Sequence, residues 1–167
     1  MNLKNLAAIL DPAAPDDRSL IIEISPDGDE RLRLSYGEGR RRIAAVARGL
    51  LKRGLTRGDA VAIVATNSAD YLVLYMATMA AGLISVCVNH KLPRETVAHI
   101  MKDSAIKLAI ADAERAPLVA ALVPTVAIEQ LDSLLDPGPF GPVDMEPEEL
   151  PWCSTPRARP ACPRACR

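Results

Sequence analysis

The feature that most constrains the fold is an uninterrupted apolar run, Ala60–Ala65, which follows a turn and precedes a helix start. A strand with one solvent-exposed face alternates apolar and polar residues, whereas a strand that is covered on both faces does not. Further short, mainly apolar runs follow at intervals of one helix each: Leu83–Val88, Lys107–Ala111 and Thr125–Ile128. This alternation predicts an α/β protein with a partial, doubly wound and largely parallel sheet.

Helix starts and ends separate these strands. Ser35 and Glu38 have the spacing of a capping box, and Gly54 marks the end of the helix that they open. Its apolar stripe consists of Ile43, Val46, Ala47, Leu50 and Leu51. The other predicted helices are one around Leu3, Leu6, Ala7 and Leu10, one after Asn67-Ser68, one over Arg94–Asp103 with Pro93 in its first turn, and one over Glu114–Leu122.

The segment before the first long helix is predicted to form a hairpin. Leu20–Ile24 and Arg31–Ser35 are its strands, and Pro26-Asp27-Gly28-Asp29 is its turn. Beyond Asp136 the chain becomes a connector rich in Pro and Gly.

Tyr71–Val88 contains no charged residue and approaches the length of a membrane span. Gly82 divides it into a part rich in helix formers and a part rich in β-branched residues. The segment therefore predicts a buried helix followed by a buried strand, with no membrane span.

Charge and cysteine content narrow the functional classes. Residues 1–150 hold 16 basic and 21 acidic side chains, a balance that disfavours a nucleic-acid partner. Cys87 is the only cysteine in that range, so no disulfide framework is expected. The amino terminus lacks a long apolar segment of the secretory type, and we expect a cytoplasmic protein.

The composition changes abruptly after Leu150. Residues 151–167 hold the only Trp, three of the four Cys, four Arg and four Pro, and no acid. They have neither a helical nor a strand period, and prolines would interrupt either structure. Such a stretch is typical of a GC-rich gene translated in the wrong reading frame.

The genetic code supports this interpretation. When the frame is shifted back by one base, permitted codons for residues 151–167 can be read as Val-Leu-Tyr-Thr-Ser-Gly-Ser-Thr-Gly-Leu-Pro-Lys-Gly-Val. The three alanines, Ala158, Ala161 and Ala165, supply the bases that the glycines of that string require. One deleted base at the Leu150/Pro151 boundary would account for the whole tail. We therefore predict that residues 151–167 are disordered and out of frame.

The recovered string resembles the phosphate-binding loop of the AMP-forming adenylating enzymes, in which small residues turn backbone N–H groups toward ATP and a Lys adds charge. The chain itself carries further segments similar to that family's in order and spacing: Leu34–Glu38, Gly54–Ile63, Asn67–Tyr71, Ala81–Val86, Val88-Asn89, Leu92–Glu95 and Asp103-Ser104. The similarity covers Leu34–Ala111 and is strongest to the bacterial acyl-CoA synthetases.

The resemblance implies that residues 1–150 are the N-terminal portion of the large AMP-binding domain of such an enzyme. Intact members convert a carboxylate, ATP and CoA into acyl-CoA, AMP and pyrophosphate through an acyl-adenylate, with Mg²⁺. The resemblance places the loop, the Mg²⁺ site and the catalytic Lys beyond residue 150. We therefore assign no catalytic, cofactor-binding or metal residue here, and we expect a truncated, inactive and poorly stable fragment. The alternative is a stand-alone, non-catalytic α/β binding module with a basic Cys/Pro tail.

Two residues depart from the family's pattern. Gly39 stands where Leu is usual, which removes an apolar side chain from the first helical turn and costs about 1 kcal/mol of helix propensity. Cys87 stands where Pro is usual and restores a backbone N–H before Asn89. Both departures fit a sequence under relaxed selection.

Several residues that suggest chemistry have simpler interpretations. Arg57-Gly58-Asp59 spells an adhesion tripeptide but is predicted to be a turn, and His99 is predicted to be solvated or packed in mid-helix. We interpret His90 as an exposed loop residue without a ligand role and Arg115 as a helix-surface charge rather than a phosphate ligand. The tail cysteines Cys153, Cys162 and Cys166 lack the paired spacing of a zinc site, so no metal is expected.

Overall fold

The computed structural model describes Asn5, Ala7 and Leu10–Asp144. The helix predicted around Leu3, Leu6, Ala7 and Leu10 falls largely outside these residues, and the tail at 151–167 falls wholly outside them. The elements in chain order are β1 (Ser19–Ile24), β2 (Glu30–Ser35), α1 (Tyr36–Lys52), β3 (Ala60–Val64), α2 (Ala69–Ala80), β4 (Ile84–Cys87), α3 (Arg94–Asp103), β5 (Ile106–Ala111), α4 (Ala116–Val119), β6 (Thr125–Ala127) and a 3₁₀ helix (Ile128–Leu134).

The α/β class and the parallel sheet are confirmed. Four strands form one sheet in the order β4-β3-β5-β6, and all three neighbouring pairs are parallel. The predicted hairpin is also present, because β1 and β2 pair antiparallel as a separate two-stranded sheet. In the four-stranded sheet the chain passes from β4 across β3 to β5, which is the crossover of a doubly wound fold.

Helices cover both faces of the sheet. On one face, Val61 and Ile63 of β3 join a buried cluster with side chains from α1, α2 and the 3₁₀ helix. On the other face, Ala60, Ala62 and Val64 pack with side chains from α3 and α4. All five residues of β3 are buried, so the apolar run Ala60–Ala65 contains a central strand that is covered on both faces.

The predicted capping box opens α1. The backbone N–H of Glu38 donates to Ser35 Oγ at 3.3 Å, and the Ser35 N–H donates to Glu38 Oε2 at 2.8 Å. These two bonds satisfy donors that a helix start leaves without a partner. Gly54 follows the helix with φ +88°, as the sequence predicted for its end.

The uncharged segment after residue 70 folds as predicted. The Ser68 hydroxyl accepts a hydrogen bond from the Tyr71 N–H and caps α2, which is followed by Gly82 with φ +72° and then by β4. Within the described residues, no helix has both the length and the apolar character that crossing a membrane requires.

Three local predictions were wrong. The helix expected over Glu114–Leu122 is a single turn, Ala116–Val119, because the backbone N–H groups of Arg115 and Ala116 both donate to the Asp112 carbonyl and form a turn there first. Pro93 is the residue before α3, with ψ 145°, rather than a member of its first turn.

The third error concerns the chain after β6. Ile128 was predicted to belong to the strand, whereas it begins the 3₁₀ helix that ends at Leu134. Ile128, Leu131 and Leu134 are buried at three-residue spacing, and they pack into the cluster that contains α1. The tertiary contact with α1 overrides the β-propensity of Ile128.

The glycine at position 39 has a packing reason that the sequence did not reveal. A Cβ at Gly39 would stand 2.3 Å from Leu20 Cδ2, so a side chain of β1 fills the space that a larger residue would take. The loss of an apolar side chain in the helix is therefore matched by an apolar side chain from the hairpin.

Candidate functional site

The loops that follow β3, β4 and β5 meet at the carboxyl edge of the sheet. In the order β4-β3-β5-β6, the chain leaves β3 toward one edge and β5 toward the other, so the topological switch point lies between the carboxyl ends of these two strands. Ligands of open α/β sheets bind at such switch points. Thr66 follows β3, His90 follows β4 and Asp112 follows β5.

Asp112 is the centre of this edge. It is 7% exposed, and its carboxylate accepts hydrogen bonds from the Thr66 N–H at 2.9 Å, the Arg115 N–H at 3.0 Å and Arg115 Nη1 at 2.6 Å. Burial by itself would raise the pKa of Asp112, but the bonds from Thr66 and Arg115 outweigh it and lower that pKa. The carboxylate therefore stays ionised and ties the loop after β3 to the loop after β5.

Arg115 extends this connection to the third loop. Its Nη2 lies 3.3 Å from His90 Nε2, and its side chain is 12% exposed. Since a guanidinium can only donate, His90 Nε2 is the acceptor in this contact. Arg115 Nε is buried and has no hydrogen-bond partner among the described residues.

We call Thr66, His90, Asp112 and Arg115 the edge cluster. It brings two residues that the sequence singled out, His90 and Arg115, together with two that it did not. Two interpretations need correction. Arg115 is a mostly buried ion-pair partner, with a side chain 12% exposed, rather than a helix-surface charge, and His90 is half-buried against it rather than an exposed loop residue.

Thr66 and Asp112 were missed because each is unremarkable in the sequence. The available signal was their position, immediately after a buried strand at the edge where the loops of a parallel sheet converge. Their contact joins residues 46 apart in the chain, and only the strand order brings them together.

The remaining singled-out residues behave as predicted where the structure describes them. Arg57-Gly58-Asp59 is a turn, in which the Asp59 N–H donates to the Thr56 carbonyl at 2.9 Å and Gly58 has φ +86°. His99 is exposed on α3.

In the described part of the chain, no group of three or more His, Cys, Asp or Glu side chains could hold an ion. Cys153, Cys162 and Cys166 lie outside that part, so the absence of zinc from the tail stays a prediction.

Comparison with known proteins defines the class. The family model described as AMP-binding enzyme matches residues 12–163, which is most of the chain. The chain belongs to this family. The match continues past Leu150 into the tail, and the frame interpretation of that tail stays a prediction.

Individual relatives are ligases. The chain is 34% identical over 117 residues to a feruloyl-CoA synthase of an Amycolatopsis species, which covers 68% of this chain and 24% of that protein. It is 28% identical over 120 residues to a long-chain-fatty-acid–CoA ligase of Mycobacterium tuberculosis, which covers 72% of this chain and 24% of that protein. The chain thus spans about a quarter of the length of these relatives.

Solved structures of adenylating enzymes have a similar fold. The crystal structure of ATP-bound MatB from Rhodopseudomonas palustris superposes with a TM-score of 0.72 at 27% identity, over 89% of this chain and 31% of that one. The fold is therefore that of part of an adenylating enzyme. These comparisons do not support the alternative of a stand-alone, non-catalytic module.

Proposed function

We propose that this chain supplies the N-terminal sheet of an AMP-forming carboxylate–CoA ligase. The parent reaction joins a carboxylate to CoA at the expense of ATP, with an acyl-adenylate as intermediate and AMP and pyrophosphate as products. The observation that carries the proposal is the family match over residues 12–163, and the ligase names of the relatives agree with it.

The role of the described residues in that reaction is to build a rigid wall. The edge cluster connects the loops after β3, β4 and β5 through one buried carboxylate, so these loops cannot move independently. Active sites need such support, because a displacement of about 1 Å can cost a large factor in rate. We place the cluster beside the binding region as a positioning device rather than among the reacting groups.

The chain by itself is proposed to be inactive. Asp112, the buried carboxylate of the cluster, already accepts bonds from Thr66 and Arg115, and its charge is balanced by Arg115. It therefore does not fit a Mg²⁺ ligand or a general base, and no step of the reaction is routed through a metal here.

ATP–pyrophosphate exchange tests this proposal directly. We expect the purified 167-residue chain to show no exchange above the enzyme-free rate with ferulate, benzoate or a long-chain fatty acid, because the reacting groups are proposed to lie in another part of the enzyme. An exchange that depends on both the chain and one of these acids would overturn the proposed inactivity.

The gene provides the matched comparison. Resequencing from the codon for Asp144 to beyond Arg167 shows whether one base is missing at the Leu150/Pro151 boundary. The protein translated with that base restored is expected to catalyse the exchange with at least one acid. An inactive frame-restored protein would count against the ligase assignment itself.

A further inference from the structure

One contact of the edge cluster depends on the protonation of a histidine. Arg115 Nη2 lies 3.3 Å from His90 Nε2, and the guanidinium is the donor in this contact. A ring nitrogen accepts a hydrogen bond only while it carries no proton. Imidazoles are the side chains that gain and lose a proton between about pH 5 and 8. Uptake of one proton at Nε2 would therefore remove the hydrogen bond and place a second positive charge beside the guanidinium.

The guanidinium cannot relieve that repulsion, because an arginine side chain is not deprotonated in proteins. Arg115 is also held in place. Its Nη1 lies 2.6 Å from Asp112 Oδ2 and 3.3 Å from Glu114 Oε2, and its side chain is 12% exposed. Asp112 in turn accepts a hydrogen bond from the Thr66 N–H at 2.9 Å. His90 is half-buried in a loop, so it is the partner that would move away.

The other charged groups around this contact give a protonated His90 no carboxylate partner. Asp112 and Glu114 both contact Arg115 Nη1, and neither contacts His90 in the range that the structure describes. Lys91, which adjoins His90 in the chain, is exposed and positively charged. The charged group in contact with a protonated His90 would therefore be a cation.

Both ends of the loop after β4 are held by bonds that do not involve His90. At its start, the Val88 N–H donates to the Ile63 carbonyl at 3.0 Å. At its end, Arg94 Nη2 donates to the Pro117 carbonyl at 3.1 Å, so this second guanidinium is directed toward α4. Loss of the imidazole contact should consequently free the middle of the loop and leave the sheet intact.

The two partners lie on either side of β3. His90 follows β4 and Arg115 follows β5, while β3 lies between these strands in the sheet. Their contact therefore connects the loops on both sides of the carboxyl end of β3, next to the switch point at which ligands of open α/β sheets bind. The protonation of His90 decides whether the loop after β4 stays connected to this edge.

We propose that the His90–Arg115 contact is a pH-dependent latch on the loop after β4. An unprotonated Nε2 holds the loop to Arg115, and a proton taken up from solvent at Nε2 releases it. His90 is thus a positioning residue that acts through Arg115. The inference rests on the proposed function, in which this edge supports the binding region of a carboxylate–CoA ligase. A released loop should weaken substrate binding, so KM should rise on acidification while kcat changes little.

Two substitutions separate the hydrogen bond from the charge. His90→Gln supplies an amide oxygen that can accept from Arg115 and takes up no proton, whereas His90→Lys carries a positive charge that can only donate. The same pair of substitutions at His99, which is exposed on α3, is the control.

ATP–pyrophosphate exchange of the frame-restored protein is the first readout, with the carboxylate concentration varied at about pH 5.5 and about pH 8. Between the higher and the lower pH, the KM of the parent enzyme should rise about fivefold more than that of His90→Gln, the equivalent of one hydrogen bond. His90→Lys should have the raised KM at both pH values, and the His99 variants should follow the parent enzyme. An equal rise in the parent enzyme and in His90→Gln would overturn the latch.

Amide exchange of the same protein without substrates is a second readout that needs no activity. The Lys91 and Leu92 N–H groups donate to Asn89, at 3.0 Å to its Oδ1 and at 3.2 Å to its backbone oxygen, and they report on the loop. At a single neutral pH these two amides should exchange about fivefold faster in His90→Lys than in His90→Gln. The Val88 N–H, which is bonded to β3, should exchange at the same rate in both variants.

The two readouts distinguish a failed latch from a failed ligase assignment. Equal loop exchange in the two His90 variants would refute the latch, and ligase activity of the parent protein would then leave the proposed function standing. Faster loop exchange in His90→Lys, in a protein that is inactive with every acid, would support the latch and count against the proposed function.

Discussion

Asp112 and Arg115 together link three loops, because Asp112 accepts hydrogen bonds from Thr66 and Arg115 and Arg115 in turn contacts His90. The Asp112 side chain is 10% exposed and that of Arg115 12%, at an oxygen-to-nitrogen distance of 2.6 Å. Removal of one member of such a pair leaves the other buried without a counter-charge, which is more harmful than replacing both.

We therefore predict that Asp112→Asn lowers the free energy of unfolding by about 2 to 3 kcal/mol at pH 7. The shift of the urea midpoint in the frame-restored protein measures this change and those of the other substitutions, because the 167-residue chain is itself expected to lack a cooperative transition. The control is Glu30→Gln, which breaks the exposed pair of Glu30 with Arg33 and should cost much less.

The pH dependence gives an independent check. The folded-state pKa of Asp112 is lowered, so its stabilising contribution is present above the unfolded pKa and is lost as the pH falls through the folded pKa. The difference between Asp112→Asn and the parent chain should accordingly shrink on acidification below about pH 4. A difference that is independent of pH would show that the carboxylate charge is not responsible.

At the scale of elements, the glycine in the second half of α1 is required by a close contact with the 3₁₀ helix, although glycine has a low helix propensity. A Cβ built on Gly49 would lie 1.5 Å from the backbone oxygen of Leu134, so the 3₁₀ helix approaches α1 at this glycine. At Gly39 the conflicting atom is Leu20 Cδ2, the tip of a flexible side chain, which can move.

The two glycines form a matched pair. Gly49→Ala should reduce stability by about 2 kcal/mol or more, since the backbone conflict exceeds the gain of about 1 kcal/mol in helix propensity. Gly39→Ala gains the same helix propensity and displaces only the Leu20 side chain, so its loss of stability should be much smaller. The midpoints of urea unfolding compare them, and a Gly49→Ala variant as stable as Gly39→Ala would refute the contact.

For the whole molecule, stability depends on how much of its surface is unpartnered. Two clusters fill both faces of the four-stranded sheet, which favours folding. Against this, β4 has a partner strand on only one side among the residues that the structure describes, and Ile22 and Ile24 of the hairpin are 45% and 55% exposed. Exposed apolar side chains beside bare strand edges promote association between chains.

We expect a thermal melt of the 167-residue chain to lack a sharp cooperative transition, as predicted for a domain separated from its neighbours. Zinc added in excess should not change the melt, because the tail cysteines lack the spacing of a site. A single cooperative transition with equal calorimetric and van't Hoff enthalpies would contradict the first expectation. A rise in melting temperature with zinc would contradict the second.

Most of the helices and strands follow from local sequence chemistry. The apolar run of β3, the capping box at Ser35 and Glu38 and the glycine after α1 produce the predicted structure wherever the chain carries them. The order of the family-like segments over Leu34–Ala111 also indicates the family. Local chemistry did not predict the structure at α4, where a turn at Asp112 forms, or at Ile128, which packs against α1.

The tertiary structure alone decided which residues meet. Thr66, His90 and Asp112 are 22 or more positions apart, and they come together because β3 lies between β4 and β5 in the sheet. The same strand order leaves the Arg115 side chain only 12% exposed, and the packing of the 3₁₀ helix on α1 brings the backbone of Leu134 close to Gly49. None of these contacts has a signature in sequence spacing, because contacts between distant segments depend on the packing of whole elements rather than on the residues beside them.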